Sequence, residues 1–142
     1  MEINQIYTEL IREHSMESEN KKELKDRTDH HMGINPSCGD ELEISIKLNG
    51  DIIEDASYTG MGCAISQASA SMMIDVIKGK TVKEAKEAIE VFLKMIKSEI
   101  EYEDDLLILE DAAILESISK LPQRVKCAVL SWRTLEEILS NK

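Results

Sequence analysis

Three cysteines carry most of the chemical potential of this chain, and their neighbours are unusual. Cys38 lies in "NPSCGD", Cys63 in "GMGC" and Cys127 in "RVKCAVLSW". Three of the six glycines, Gly39, Gly60 and Gly62, fall within three residues of a cysteine. Glycine permits backbone conformations that other residues resist, so the clustering points to a specially shaped backbone around the thiols. The cysteine count is odd, and "MEINQIYTEL" is acidic and broken by polar residues, unlike an export signal. A disulfide framework is therefore not expected. Packing thiols, catalytic thiols and metal ligands remain.

The chain has 142 residues, enough to bury a core without staples, and is read as one domain over 1–142 with residues 1–33 as an N-terminal helix and polar lead-in. A net charge of −11 argues against nucleic acid or an anionic membrane as partner. No apolar run approaches the roughly 20 residues of a membrane span. The cytoplasm is the expected compartment.

The thiols must be positioned by the elements around them. Residues 2–14 read as an amphipathic helix with Ile3, Ile6, Tyr7, Leu10 and Ile11 on one face. Residues 15–33 read as a polar lead-in with a short strand near its end. "NPSCGD" is turn material, which places Cys38 and Asp40 on a loop. "ELEISIKL" alternates as a half-buried strand with Leu42, Ile44, Ile46 and Leu48 inward, and Asn49-Gly50 predicts a type I′ hairpin. The returning strand, 52–59, runs into a sharp turn that delivers Cys63. A helix follows over 64–78, with Gly79 at its end and Met72 and Met73 in the core. Thr81 and Glu84 form a capping box for a third helix. "SEIEYEDDL" reads as a solvated acidic connection, 109–118 as a shorter helix, and Pro122 opens a last helix over 122–139. The fold class is α+β, a small antiparallel sheet packed against helices.

On that layout the hairpin brings Cys38 and Cys63 to one end of the sheet. Cys63 at a helix start, and Cys127 in the first turns of another, sit where the dipole and unpaired N–H groups favour a thiolate. Arg124 and Lys126 add positive charge beside Cys127. Val125, Ala128, Val129, Trp132, Leu135 and Leu139 form the apolar stripe of the last helix. At about 100° per residue, Cys127 falls well over a right angle from its centre. That placement suits a reactive or ligating thiol better than a packing one. Asp40, two residues beyond Cys38, is an acceptable fourth donor for a tetrahedral zinc site. Soft sulfur favours zinc, an iron–sulfur cluster or Cu(I) over magnesium or calcium. From spacing alone, buried inert thiols account for three scattered cysteines as well as a metal site does. His30 and His31 read as loop histidines rather than ligands, and His14 as a structural residue capping its helix.

"NPSCGDELEISIKLNGDIIEDASYTGMGCAISQASASMM" together with "KLPQRVKCAVLSW" resembles the SufU branch of the IscU-like iron–sulfur assembly family. The resemblance covers roughly residues 34–139 and the opening helix ending at His14. It implies a SufU/IscU-like fold and a zinc site made by Cys38, Asp40, Cys63 and Cys127, with Arg124 and Lys126 in support. It also implies that Cys38 accepts persulfide sulfur from SufS, a pyridoxal-phosphate cysteine desulfurase, for downstream iron–sulfur assembly proteins. Classical IscU has a histidine directly before its third cysteine, whereas Lys126 stands here as in SufU. An IscU-type scaffold, holding iron or a cluster on the same ligands, is the alternative, and a structural zinc docking module a further one. The stretch after the first helix, "HSMESENKKELKD", lacks the proline and arginine of the H-Y-K-N-P-R-N segment that many relatives carry, which bears on partner docking.

Overall fold

The structure is a computed structural model that describes residues 3–16 and 18–142, with side chains from Thr8 onward. The first helix, α1, spans Ile3–Met16, two residues further than the sequence pattern suggests. Its expected start at Glu2, and the side chains of Ile3, Ile6 and Tyr7, lie outside the described residues. Ile11 is buried and Leu10 packs against the core, as expected of that face.

Three strands follow, β1 (Asp29–Asn35), β2 (Asp40–Asn49) and β3 (Ile52–Met61), forming one antiparallel sheet in the order β1-β2-β3. The alternation in β2 does what the pattern predicts, since Leu42, Ile44 and Ile46 are fully buried. The register pairs Leu42 with Gly33 and Gly60, and Ile44 with His31 and Tyr58, so these residues share the inner face. Two expectations shift by a residue. Asp40 is the first residue of β2 rather than part of the loop. The β2–β3 turn centres on Gly50-Asp51, because Asn49 pairs with Ile52. Only Gly50, at φ 64°, is left-handed there. That is the pattern of a type II′ turn, not I′. The lead-in is not free of the sheet either. Lys22 N–H donates to Tyr58 O, and Tyr58 N–H to Asn20 O, both at 3.0 Å, covering the β3 edge.

The helices α2 (Ala64–Ile77) and α4 (Pro122–Leu139) pack against the sheet and each other, and α3 (Val82–Ile96) packs on both of them. The capping box is present, with both Thr81–Glu84 hydrogen bonds at 3.0 Å. Gly33 lets α4 approach β1, because a Cβ there would overlap Thr134 Oγ1 and crowd Leu130.

Between α3 and α4 the structure departs from the sequence reading. The chain forms 3₁₀ turns over Glu103–Lys120, broken at Glu110 (φ 50°, ψ −130°), rather than a solvated acidic connection and a helix over 109–118. The buried residues Leu106, Leu109, Ala112, Leu115 and Ile118 recur every third position. That is the 3₁₀ repeat, in which i and i+3 eclipse. Among the described residues, no helix is long and apolar enough to cross a membrane.

Candidate metal centre

Four short pieces of backbone meet at one end of the sheet. The β1–β2 connection is a four-residue turn, 36–39, flanked by the last register pair, Asn35 and Asp40. Cys38 N–H reaches Asn35 O at 3.3 Å and Gly39 N–H reaches Pro36 O at 3.4 Å, both long bonds. Gly39 is left-handed at φ 70°, and a Cβ on it would meet nothing within 4 Å. Cys38 is therefore a half-buried thiol on a loosely tied turn with open space beside it.

Asp40 is the opposite case. It is fully buried, and three donors hold its carboxylate. Asn35 Nδ2 donates to Oδ2 at 3.1 Å, while Cys63 N–H and Ser66 Oγ donate to Oδ1 at 2.9 and 3.1 Å. Gly62 is needed for this approach, since a Cβ there would lie 2.8 Å from Oδ1. Gly62 of "GMGC" thus serves the carboxylate, whereas Gly60 lies within β3, where a Cβ would overlap Glu41 O. Asn35 and Ser66 were not singled out by sequence. Their signal was present, because Asn35 opens "NPSCGD" and Ser66 lies three residues past Cys63, but Asn reads as turn-former and Ser as a small packing residue.

Cys63 is the N-cap of α2, its sulfur accepting from Ser66 N–H at 3.4 Å. Cys127 sits in the second turn of α4 and is fully buried. Its sulfur lies 3.2 Å from that of Cys38 and receives Asn35 Nδ2 at 3.8 Å. Cys127 lies inside the buried face of α4, which runs through Cys127, Ala128, Ser131, Trp132, Thr134, Leu135, Ile138 and Leu139. Val125 and Val129 are only partly covered. The expected stripe was mis-centred because Ser131 and Thr134 point inward, where α4 meets β1 and α2, and hydrophobicity alone does not register them. Off-stripe placement is therefore not what marks this thiol.

The ligand atoms of Cys38, Asp40 and Cys127 all lie within 4.8 Å of one another; Cys63 lies beside this group without joining it at that spacing. Arg124 and Lys126 are exposed and, among the described residues, pair with nothing, Asp40 included. The expectation that they and the helix start hold Cys127 deprotonated is not met. Burial pushes its thiol well above the ordinary range, and its neighbours Cys38, Cys63 and Asp40 push the same way. Three sulfurs and a buried carboxylate with no cationic side chain in contact fit a soft divalent ion, which would reverse that balance.

The histidines fall elsewhere. His30 pairs with Glu43 at 3.2 Å on the outer face of the sheet, and His31 is exposed. His14 does not cap its own helix. It bridges elements instead, with Nδ1 2.8 Å from Ser71 Oγ on α2 and Nε2 3.2 Å from Asp111 Oδ2 on the 3₁₀ segment.

Comparison with known proteins places this arrangement in context. The profile of the NifU-like N-terminal domain matches residues 6–128. The zinc-dependent sulfurtransferase SufU of Bacillus subtilis is 43% identical over 135 residues, covering 95% of this chain and 90% of its own. The iron–sulfur cluster assembly scaffold protein IscU of Thermotoga maritima is 37% identical over 141 residues, covering 99% and 97%. A solved structure, a putative iron–sulfur cluster assembly scaffold protein for the SUF system from Fervidobacterium islandicum, superposes with a TM-score of 0.85. It is 35% identical, over 96% of this chain and 98% of that one. The α+β fold is thus the one expected of SufU- and IscU-like proteins.

Proposed function

The chain belongs to the NifU-like N-terminal domain family, and on that premise we propose that it is a sulfur-transfer protein of iron–sulfur cluster assembly, taking persulfide sulfur onto Cys38 from a SufS-type cysteine desulfurase. One observation carries the reading. Of the four donors gathered at the sheet end, only Cys38 stands on a loosely tied turn with open space beside it, while Asp40 is locked by three hydrogen bonds and Cys127 is buried. An acceptor thiol has to reach a sulfur held by another protein, and Cys38 is the one free to do so. The name of the Bacillus subtilis relative supports the same class of reaction.

The transfer is a thiol–disulfide-type exchange. The Cys38 thiolate attacks the outer sulfur of the donor's persulfide, the sulfur–sulfur bond breaks, and the donor cysteine leaves as thiolate. Cys38, Asp40, Cys63 and Cys127 would hold zinc, which when bound keeps these thiols deprotonated and shields them from oxidation. Asp40, fixed by Asn35, Ser66 and the Cys63 N–H, keeps its place while Cys38 moves. Arg124 and Lys126, exposed beside Cys127 in sequence, are available to the incoming persulfide or to the partner. The compartment is the cytoplasm, with downstream assembly proteins as recipients.

The test is alanine release from cysteine by the cognate desulfurase, with and without the zinc-loaded protein, under a reductant that regenerates thiols. Multiple-turnover stimulation is expected. Its absence, with cluster formation on the protein supplied with iron and sulfide, favours the scaffold reading instead, which the Thermotoga maritima relative's name supports. In that case iron and sulfide are substrates on the same donors.

Metal affinity tests the ligand assignment separately. Asn35→Ala removes a donor shared by Asp40 and Cys127, and should weaken zinc binding by about 10–100-fold, the usual cost of losing a ligand's supporting hydrogen bond. Asp40→Ala should weaken it at least as much. Competition with a chromogenic chelator measures both, and unchanged affinity in Asp40→Ala removes Asp40 from the ligand set.

A further inference from the structure

We propose that Cys127 is the resolving thiol for sulfur carried on Cys38: it attacks the Cys38 sulfur, closes a Cys38–Cys127 disulfide and releases the carried sulfur as hydrosulfide. The inference rests on Cys38 as the persulfide acceptor and adds the fate of what it accepts.

Contact geometry selects the step. Cys127 Sγ lies 3.2 Å from Cys38 Sγ, which is the inner sulfur once Cys38 is persulfidated. Attack on the outer sulfur would only pass the persulfide to Cys127, whereas attack on the inner one expels it. A disulfide bond is about 2.0 Å long, so the two sulfurs must close by roughly 1 Å. The turn carrying Cys38 can supply that movement, with its long hydrogen bonds and the free space around Gly39. Cys63 is the poorer candidate, because its sulfur is engaged by Ser66 N–H at the start of α2. Cys127 is fully buried, so solution thiols do not compete for it, and Asn35 Nδ2 helps to orient its sulfur.

The step balances without an outside oxidant. The persulfide anion on Cys38 and the Cys127 thiol become the Cys38–Cys127 disulfide and HS⁻. One sulfur–sulfur bond forms between the two Sγ atoms and one breaks, its electron pair leaving on the outer sulfur, which takes the Cys127 proton. The carried sulfur is reduced to sulfide as the two cysteines are oxidised. A reaction of the dithiol-reductant class must then reopen the disulfide before another round.

The experiment loads the full-length protein with inorganic polysulfide, removes excess reagent, and follows sulfide release, in metal-free and zinc-loaded samples. Early alkylation and peptide mapping place the persulfide, and late mapping finds disulfides. The expected result is early persulfide on Cys38, then sulfide release with a Cys38–Cys127 disulfide. In the metal-free samples release should be slower by about tenfold or more in Cys127→Ser, the loss expected when a pre-placed nucleophile is removed. Persulfide on Cys38 with equal release from wild type and Cys127→Ser overturns the resolving step alone. Loading that bypasses Cys38 overturns the acceptor assignment and the resolving step with it.

Discussion

Cys38→Ala is expected to return alanine production to the rate of the desulfurase alone, while the metal-free protein unfolds at nearly the wild-type denaturant midpoint. The two halves have separate causes. Activity is lost because no other thiol combines mobility with access: Cys127 is buried, and Cys63 is tied to the first turn of α2. A buried thiol meets a partner-held persulfide only if the fold opens. Stability is kept because Cys38 lies outside the hydrophobic core, on a turn where even a Cβ added at Gly39 would meet nothing within 4 Å. The comparison belongs in the metal-free state, since a lost ligand would otherwise lower the midpoint through binding linkage. Cys38→Ser makes the complementary measurement, because it preserves size and polarity but supplies no thiolate at neutral pH. Substantial stimulation by Cys38→Ala would show that the acceptor is another cysteine, and the reading built on the Cys38 turn would fall.

Much of what positions this turn was legible in the residues. β2 alternates strictly, and one buried face is the only way to satisfy Leu42, Ile44 and Ile46 together. The start of α3 is written in Thr81 and Glu84, whose mutual hydrogen bonds are local and need no tertiary context. Three features were not read, each for a physical reason. The 3₁₀ segment advertises itself only through apolar residues at every third position, a period close enough to 3.6 to pass as a short helix. The buried face of α4 includes Ser131 and Thr134, so an apolar stripe gives the wrong centre and makes Cys127 look peripheral. Asp40 reads as loop because Cys-Gly-Asp is turn chemistry, yet its pairing with Asn35 begins the strand. The site inherits both kinds of outcome. Its thiols and its carboxylate could be named from sequence, whereas the Asn35 and Ser66 side chains that lock the carboxylate depend on a register between elements that only the fold supplies.

Trp132→Ala should cost about 3–5 kcal/mol of stability, the range for deleting a large buried aromatic, and should weaken metal binding as well. Trp132 is fully buried and stacks on Phe92 of α3, with ring centroids 4.1 Å apart and planes within 5° of parallel. Its indole N–H donates to Ser69 Oγ of α2 at 3.0 Å, and Ser69 in turn donates to Ala128 O at 2.6 Å. One side chain therefore ties α4 to both neighbouring helices, and the chain of hydrogen bonds ends on the residue after Cys127. Truncation removes the stack, opens a cavity and takes away the donor that fixes Ser69, so the turn of α4 holding Cys127 loses its clamp. Trp132→Phe separates these effects. It keeps an aromatic against Phe92 and loses the hydrogen bond, so beyond a small cavity it should cost about 1 kcal/mol for that bond. Urea unfolding of the metal-free variants gives the stability terms, and chelator competition gives zinc affinity. If Trp132→Ala unfolds early yet binds zinc as tightly as wild type once folded, the packing of α4 does not set the position of Cys127. If zinc affinity falls in Trp132→Ala and holds in Trp132→Phe, the stack against α3 is what keeps the third thiol in reach of the turn that carries the first.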